Sequence, residues 1–482
     1  MTTASTPAAA GVDLPLCIDL DGSLLASDSL HEGLLLALAR QPLGLLRLLP
    51  RLRGGKAAFK RAVAELAPLD PVALPYDPAV LTYLRAERAK GRTIALFSAA
   101  DQSIVDAVAG HLGLFDHAQG SDGTHNLSGE RKLAAIRDRF GDHFAYLGND
   151  GVDLPIWRAA KAALVVGSDA LRRKTAAVTP TIEAHFSGQS GGVRAWLKAC
   201  RLHQWAKNAL IFAPIVLAGP LATPEELMRG VVGFLVFGLL ASVGYVVNDL
   251  LDLPADRRHP TKRARPFAAG RLTPRTGVLG AAATLVVAAG LGLALGGAFA
   301  WAALGYFVGT VAYSLHLKRV PMLDVLVLAG LFTIRVVAGA TLTAAPFSYW
   351  LITFSIFLFL SLALVKRYAE LVDQSENDTA MLDSRGYSHR DTPLLLPFGT
   401  GSALAAGLIF VVYLVDERFP SNIYTNPAWL WFIFPVLMLW LMRIWRLAVH
   451  GRMDQDPVLF AVKDKASLGL GGIVLLLVLL SW

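Results

Sequence analysis

The pattern of apolar positions changes character near residue 190. Before that point, short apolar runs at 14–20, 93–97, 144–147 and 163–166 alternate with segments of helical periodicity. Short buried runs separated by helices predict a parallel α/β sheet. The leucine-rich stretch 30–52 is broken by Arg40, Gln41, Pro42 and Arg47. Such interruptions suit the amphipathic helices of a soluble domain better than a membrane span. Past residue 194, apolar runs of spanning length take over. About nine spans of roughly 20 residues each are predicted, near 204–221, 229–248, 277–297, 299–316, 322–341, 348–365, 394–415, 428–447 and 467–482. The run 187–192 (SGQSGG) reads as a flexible linker. The expected organisation is therefore an α/β domain over 1–186, a linker over 187–193 and an all-α transmembrane bundle over 194–482.

Composition agrees with a membrane protein. Of the 482 residues, 54% are hydrophobic and 17% charged, where a soluble domain carries roughly 25% charged residues. The net charge of +8 is concentrated in one set of loops: Arg257, Arg258, Lys262, Arg263, Arg265, Arg271 and Arg275, then Lys318 and Arg319, then Lys366, Arg367, Arg385 and Arg390, then Arg446, Arg452, Lys463 and Lys465. The alternate loops hold little beyond Arg229 and Arg418. This asymmetry places the basic loops and the N-terminal domain on the cytoplasmic side of a bacterial-type plasma membrane, and an odd number of spans puts the C-terminus outside. These loops and phosphate sites account for the cations, and no nucleic-acid-binding motif is present. Two cysteines, Cys17 and Cys200, give no disulfide framework, and residues 1–11 lack the basic and apolar regions of a signal peptide.

Candidate chemistry lies in both halves. The first strand runs into Asp19-Leu20-Asp21-Gly22-Ser23, two carboxylates where α/β folds place their ligands. One can act as nucleophile while the other handles protons or a metal. Ser98 ends the second strand, Lys132 starts a later helix, and Gly148-Asn149-Asp150-Gly151-Val152-Asp153 follows the third strand. Singly, each acidic residue reads more often as a turn or helix cap. The ordered set resembles a haloacid dehalogenase (HAD)-type phosphohydrolase over most of the domain. The resemblance implies Asp19 as nucleophile, Asp21 as general acid/base, and Ser98 and Lys132 on the phosphoryl oxygens. It further implies Mg²⁺ held by Asp19, Asp21 and Asp150 or Asp153, and a helical cap between Asp21 and about Lys90. Asn149 departs from the pattern, which places an aspartate there, so a degenerate binding or regulatory domain is the second reading.

The second predicted span ends in Asn248-Asp249-Leu250-Leu251-Asp252, followed by Asp256. On a continuing helix, Asp249, Asp252 and Asp256 share one face beside Asn248. Clustered carboxylates near a bilayer call for a compensating cation, and Mg²⁺ binds through carboxylates and substrate phosphates. This NDxxDxxxD pattern resembles the first motif of the UbiA superfamily of intramembrane prenyltransferases, which implies that Asn248, Asp249, Asp252 and Asp256 hold Mg²⁺ against a pyrophosphate.

The sixth predicted span is followed not by a second aspartate cluster but by Lys366-Arg367-Tyr368-Ala369-Glu370-Leu371, and later by Arg385-Gly386-Tyr387-Ser388. With Arg201-Leu202-His203-Gln204-Trp205-Ala206-Lys207-Asn208, the run from Asp456 to Phe460, and Asp464, this resembles the decaprenyl-phosphate phosphoribosyltransferase branch. The resemblance implies a polyprenyl phosphate acceptor and a phosphoribosyl pyrophosphate donor, with Lys207, Lys366 and Arg367 on phosphates, Glu370 orienting the donor and Tyr387 reaching the same region. The product would carry a ribose 5-phosphate, which a phosphohydrolase on the same side could remove to leave polyprenyl-phosphoryl ribose, a precursor for cell-wall pentoses. Two other classes remain open at this point: an aromatic-acceptor polyprenyltransferase with a regulatory HAD-like domain, and a non-enzymatic transporter.

Overall fold

The structure, a computed structural model, describes residues 14–188, 191–373, 386–418, 424–453 and 456–482. The N-terminal stretch 1–11, Gln189 and Ser190 of the expected linker, and Arg385 lie outside the described residues. The chain forms two compact units, one of Met1–Ala199 with Val246–Gly280, the other of Cys200–Tyr245 with Ala281–Trp482.

In the first unit six parallel strands form one sheet in the order β3-β2-β1-β4-β5-β6. They are β1 Leu16–Ile18, β2 Ile94–Asp101, β3 His117–Ser121, β4 Ala145–Gly148, β5 Ala162–Val166 and β6 Ile182–Phe186. Successive strand residues point to opposite faces. Accordingly Leu16, Ile18, Leu96, Leu147 and Leu164 enter one core, while Cys17, Phe97, Tyr146 and Val165 enter the other. Burial on both faces makes the central strands continuous apolar runs, which is why their sequences stand out. The two strands the pattern did not show, β3 (HAQGS) and β6 (IEAHF), are the two edges of the sheet. The chain leaves β1 in both directions across the sheet, so the carboxyl ends of β1, β2 and β4 bound the ligand crevice of a doubly wound fold. Between β1 and β2 stands a helical insert that includes Ser29–Arg40, Pro42–Arg47, Gly55–Leu66 and Pro78–Ala89. Asp28 and Asp77 cap two of these helices by accepting backbone N–H groups.

Among the described residues, seven helices are long and apolar enough to cross a membrane: Pro224–Leu251, Pro274–Ala294, Gly297–Leu315, Leu323–Ala340, Tyr349–Val372, His389–Glu417 and Pro427–Val449. An eighth is added if Pro457–Lys463 and Lys465–Ser481, bent by 82°, count as one span. Seven or eight spans among the described residues stand against the expectation of about nine. The first expected span, 204–221, is instead a 3₁₀ helix over Leu202–Ile211, a short α-helix over Phe212–Leu217 and a second 3₁₀ turn over Gly219–Leu221. Its residues explain the break. Arg201 enters in the left-handed region (φ 49°), Pro214 has no N–H to donate, and Gly219 turns the chain at φ 62°. In the second unit the 3₁₀ segment lies hard against the helix Leu323–Ala340. A Cβ on Gly339 would stand 2.1 Å from the Ile211 carbonyl oxygen, so only glycine permits that approach.

Candidate functional site

The crevice of the sheet gathers the residues that the sequence singles out in its N-terminal half. Asp19 follows β1, and Lys132, from the helix Glu130–Phe140, donates to its Oδ1 at 2.8 Å and to the Tyr146 hydroxyl at 3.2 Å. Asp21 accepts from the Ser29 backbone N–H at 2.8 Å and from its hydroxyl at 3.0 Å. Lost hydration, then the charges of Asp28 and Asp19, push the Asp21 carboxyl up to about 7, against the pull of the Ser29 donors. The register pairs Ile18 with Leu96 and with Leu147, which sets Ser98 and Asn149 on either side of this loop. Ser98 is buried, and its hydroxyl accepts from the Ala100 N–H at 3.0 Å. Asn149 Oδ1 accepts from the Ser23 hydroxyl at 3.1 Å.

The two candidate aspartates of the last motif differ sharply. Asp153 is buried and accepts from the N–H groups of Asn149 and Asp150, at 3.1 and 3.2 Å, and from the Tyr146 hydroxyl at 2.9 Å. Asp150 is exposed and accepts from the next backbone N–H. Lys60 was missed by sequence reasoning. It comes from the helix Gly55–Leu66 and donates to the Ala99 carbonyl at 2.6 Å and to Asn126 at 3.2 Å, within the field of Asp21, Asp28 and Asp19. A single lysine on an amphipathic helix gives no signal in the sequence. A cleft of about 1000 Å³ opens beside the crevice, lined by Gly22, Ser23, Asn149, Ser168, Trp196 and Arg271.

The aspartate motif also belongs to the first unit. The helix Pro224–Leu251 ends at the motif, and a short helix, Leu253–Arg258, follows, with Asp252 at the junction. Backbone hydrogen bonds from Asp252 to Asn248 and from Asp256 to Asp252, each 2.9 Å, carry the helical path across that junction. The side chains then separate into two groups. Asp249 and Asp256 converge on one atom, Arg265 Nη1, at 3.1 and 2.6 Å. Asp252 accepts from Asn248 Nδ2 at 2.9 Å. Burial pushes the Asp256 carboxyl up, opposed by Arg265. Among the described residues no three His, Cys, Asp or Glu side chains are grouped as a ready metal site. The donors nonetheless fit Mg²⁺. They are all oxygens, and Arg265 marks a point where two carboxylates already share one positive charge.

A second polar cluster lies in the second unit, around the start of Leu323–Ala340. Arg367 donates to Asp324 Oδ2 and Glu370 Oε2, both at 2.5 Å, and to the Tyr313 hydroxyl at 2.9 Å. Tyr387 donates to the other oxygen of Asp324 and accepts from the Met322 N–H at 2.8 Å. Asp324, fully buried, is the hub of this cluster, and sequence reasoning missed it, because one acid at a helix start looks like a cap. Lys207 pairs with Asp456, and Lys366 makes no ion pair among the described residues. Asp464 caps Lys465–Ser481 and holds Arg443 at 2.7 and 3.0 Å.

Residues 209–465 match the model of the UbiA prenyltransferase family. The chain belongs to that family. Nearly the whole chain, 96% of it, aligns at 42% identity with 90% of an uncharacterised protein, y4nM, of Sinorhizobium fredii. The nodulation protein NoeC of Azorhizobium caulinodans is 32% identical over 57% of this chain and 88% of its own length. The decaprenyl-phosphate phosphoribosyltransferase of Mycobacterium tuberculosis is 31% identical over 59% of this chain and 91% of its own length. The chain is thus a multi-pass UbiA-type prenyltransferase with an additional N-terminal parallel α/β sheet.

Proposed function

We propose that the membrane part transfers 5-phosphoribose from phosphoribosyl pyrophosphate to a polyprenyl phosphate of the decaprenyl type, and that the N-terminal domain, HAD-like, hydrolyses the 5-phosphate of the product. The likeness to the mycobacterial phosphoribosyltransferase, which covers nearly all of that enzyme, carries the reading. Lys207, Lys366 and Arg367 support it, because a donor with a 5-phosphate and a lipid with its own phosphate bring anions to several points, and Arg and Lys are their partners.

In this reading an oxygen of the lipid phosphate attacks C1 of the ribose, the C1–O bond to pyrophosphate breaks, and pyrophosphate departs with both bonding electrons. Asn248, Asp249, Asp252 and Asp256 would hold Mg²⁺, with Arg265 turned aside. The bound ion supplies neutralisation of charge on the leaving pyrophosphate. Lys366 and Lys207 bind phosphate oxygens, Arg367 is held rigid by Asp324, and Glu370 orients the donor. In the N-terminal domain Asp19 attacks the phosphorus of the 5-phosphate, the P–O bond to the ribose breaks, and Asp21 protonates the departing sugar hydroxyl; water, giving its proton to Asp21, then releases inorganic phosphate from Asp19. Lys132 and Ser98 hold the phosphoryl oxygens, and Asp19, Asp21 and the Asp150–Asp153 loop would hold Mg²⁺. In this reading the basic loops and the N-terminal domain face the cytoplasm.

The test uses the full chain in detergent with Mg²⁺, phosphoribosyl pyrophosphate and decaprenyl phosphate, with lipids analysed by mass spectrometry. Wild type is expected to yield ribosyl lipid, and Asp19→Asn phosphoribosyl lipid. Absence of any lipid product from folded protein, with turnover of a prenyl pyrophosphate and an aromatic acid instead, would replace this reading with an aromatic prenyltransferase.

A further inference from the structure

The helix Leu323–Ala340 carries a second charged residue that the reaction described above does not use. Arg335 lies eleven residues beyond Asp324 on this helix, about 16 Å further along its axis, and is 6% exposed. Its Nε donates to Asn208 Oδ1 at 2.9 Å, one Nη to the Tyr306 hydroxyl at 2.9 Å, and the other Nη to the Leu331 carbonyl. Its guanidinium lies 4.5 Å from the Tyr306 ring centroid and 5.4 Å from that of Phe332. All these partners are neutral, and Arg335 makes no ion pair among the described residues. Two other cations of the unit are handled differently: Arg367 has Asp324 and Glu370, and Lys207 has Asp456.

Charge inside a membrane span is costly and is normally paired or functional. A second observation points the same way. Asn208 is 1% exposed, and its Nδ2, a donor, has no hydrogen-bond partner. A buried donor left unmade is itself unfavourable, and here it sits on the residue that touches the unneutralised guanidinium. Lys207, the residue before it, stands 5.8 Å from the Phe332 ring, on which Arg335 also leans. A full positive charge, a free amide N–H and a nearby ammonium form a receptor for an anion, and the fork of Arg335 suits phosphate oxygens.

We infer that Arg335 and Asn208 form a phosphate-binding site within the bundle that receives a phosphate monoester of one of the two substrates, the lipid-borne phosphate or the 5-phosphate of the sugar donor. The inference rests on the transferase reading for the identity of the substrates, but the site itself is tested by equilibrium binding, without turnover.

The experiment measures dissociation constants of decaprenyl phosphate, decaprenol and phosphoribosyl pyrophosphate for the full chain in detergent, in wild type, Arg335→Lys and Asn208→Asp. Asn208→Asp is isosteric and places a carboxylate on Arg335, so it neutralises the site while keeping or raising the melting temperature. It is expected to weaken decaprenyl phosphate by about tenfold or more, the worth of one charge-assisted bond, and to leave decaprenol unchanged. Arg335→Lys, which keeps the charge but loses the fork, is expected to retain more affinity than Asn208→Asp and less than wild type. The same loss on phosphoribosyl pyrophosphate, with decaprenyl phosphate unaffected, assigns the site to the donor's phosphate. Unchanged binding of both phosphates by Asn208→Asp, or an equal loss for decaprenol, overturns the site. Phosphate-specific binding in a protein that forms no phosphoribosyl lipid would retain the site and reject the transferase reading.

Discussion

Glu32 and Arg257 form a buried two-point ion pair in the first unit, with Arg257 Nη2 2.7 Å from Glu32 Oε1 and Nη1 3.0 Å from Oε2. Glu32 lies in the first insert helix, four residues past Asp28, and also accepts from the Ser27 hydroxyl at 2.6 Å. Arg257 immediately follows Asp256 and also donates to the Ala73 carbonyl at 3.2 Å. The pair thus links the helical insert after β1 to the aspartate motif. Removing one partner of a buried pair strands the other, at a cost of about 3–5 kcal/mol. Arg257→Ala is therefore expected to lower the stability of this unit by that order, read as faster hydrogen exchange in Ser29–Arg40. Arg258 pairs with Asp70 at the surface, where screening leaves little net gain, so Arg258→Ala should change exchange hardly at all. Equal effects from the two variants would deny Arg257 this role.

Lys132 offers a separate test of the soluble domain. Its ammonium is buried and bonded to Asp19, so in the proposed hydrolysis it would steady the nucleophile and take a phosphoryl oxygen. Asp19→Asn should abolish hydrolysis of phosphoribosyl lipid, while Lys132→Ala should lower kcat by about 10²–10³, as for loss of one preorganised electrostatic group. Stopped turnover in Asp19→Asn with unchanged turnover in Lys132→Ala would remove Lys132 from the site.

Asp21 predicts a pH dependence of stability. Its carboxyl rises from an ordinary 3.8 in the unfolded chain to about 7 in the fold. Between those values the folded state holds the extra proton, so stability falls as pH rises from about 4 to about 7 and then levels off. Asn cannot ionise. In the presence of a chelator, Asp21→Asn should therefore be more stable than wild type at pH 8 and close to it at pH 4. Chemical unfolding at the two pH values decides the matter, and an equal difference at both would contradict the cause given.

How far these features were legible depended on what each residue type can signal locally. The central strands showed because two-sided burial demands unbroken apolar runs, and Asp19, Asp21 and the Asp249–Asp252–Asp256 series showed because carboxylates at fixed spacings are unusual. The edge strands escaped because half of each faces away from a core. The first span was misjudged because hydropathy counts apolar residues and is blind to Pro214 and Gly219. Asp324, Arg335 and Lys60 were invisible for another reason: their partners lie tens to hundreds of residues away, and only the fold brings Asp324 to Arg367 or Lys60 to the Asp21 loop.

Asp324 gives the sharpest prediction in the membrane part. It accepts from Arg367 and Tyr387 on its two oxygens and is wholly buried. Arg367 is 2% exposed and retains Glu370 as its other acid. Asp324→Asn keeps the shape but removes the charge opposite Arg367, replaces one of the two acceptor oxygens with an NH2 donor, and leaves Arg367 with Glu370 as its one acid. The expected loss is about 3 kcal/mol of stability, read as a lower melting temperature in detergent. Transfer should fall with it, because Arg367 is then free to leave its position. Glu370→Gln, by contrast, leaves Asp324 and Tyr387 in place, so it should spare the melting temperature more and raise KM for phosphoribosyl pyrophosphate. If Asp324→Asn lowered activity without lowering stability, Asp324 would be acting on substrate directly rather than through Arg367. If Glu370→Gln destabilised the protein as much as Asp324→Asn, Glu370 would be the structural anchor and Asp324 its accessory.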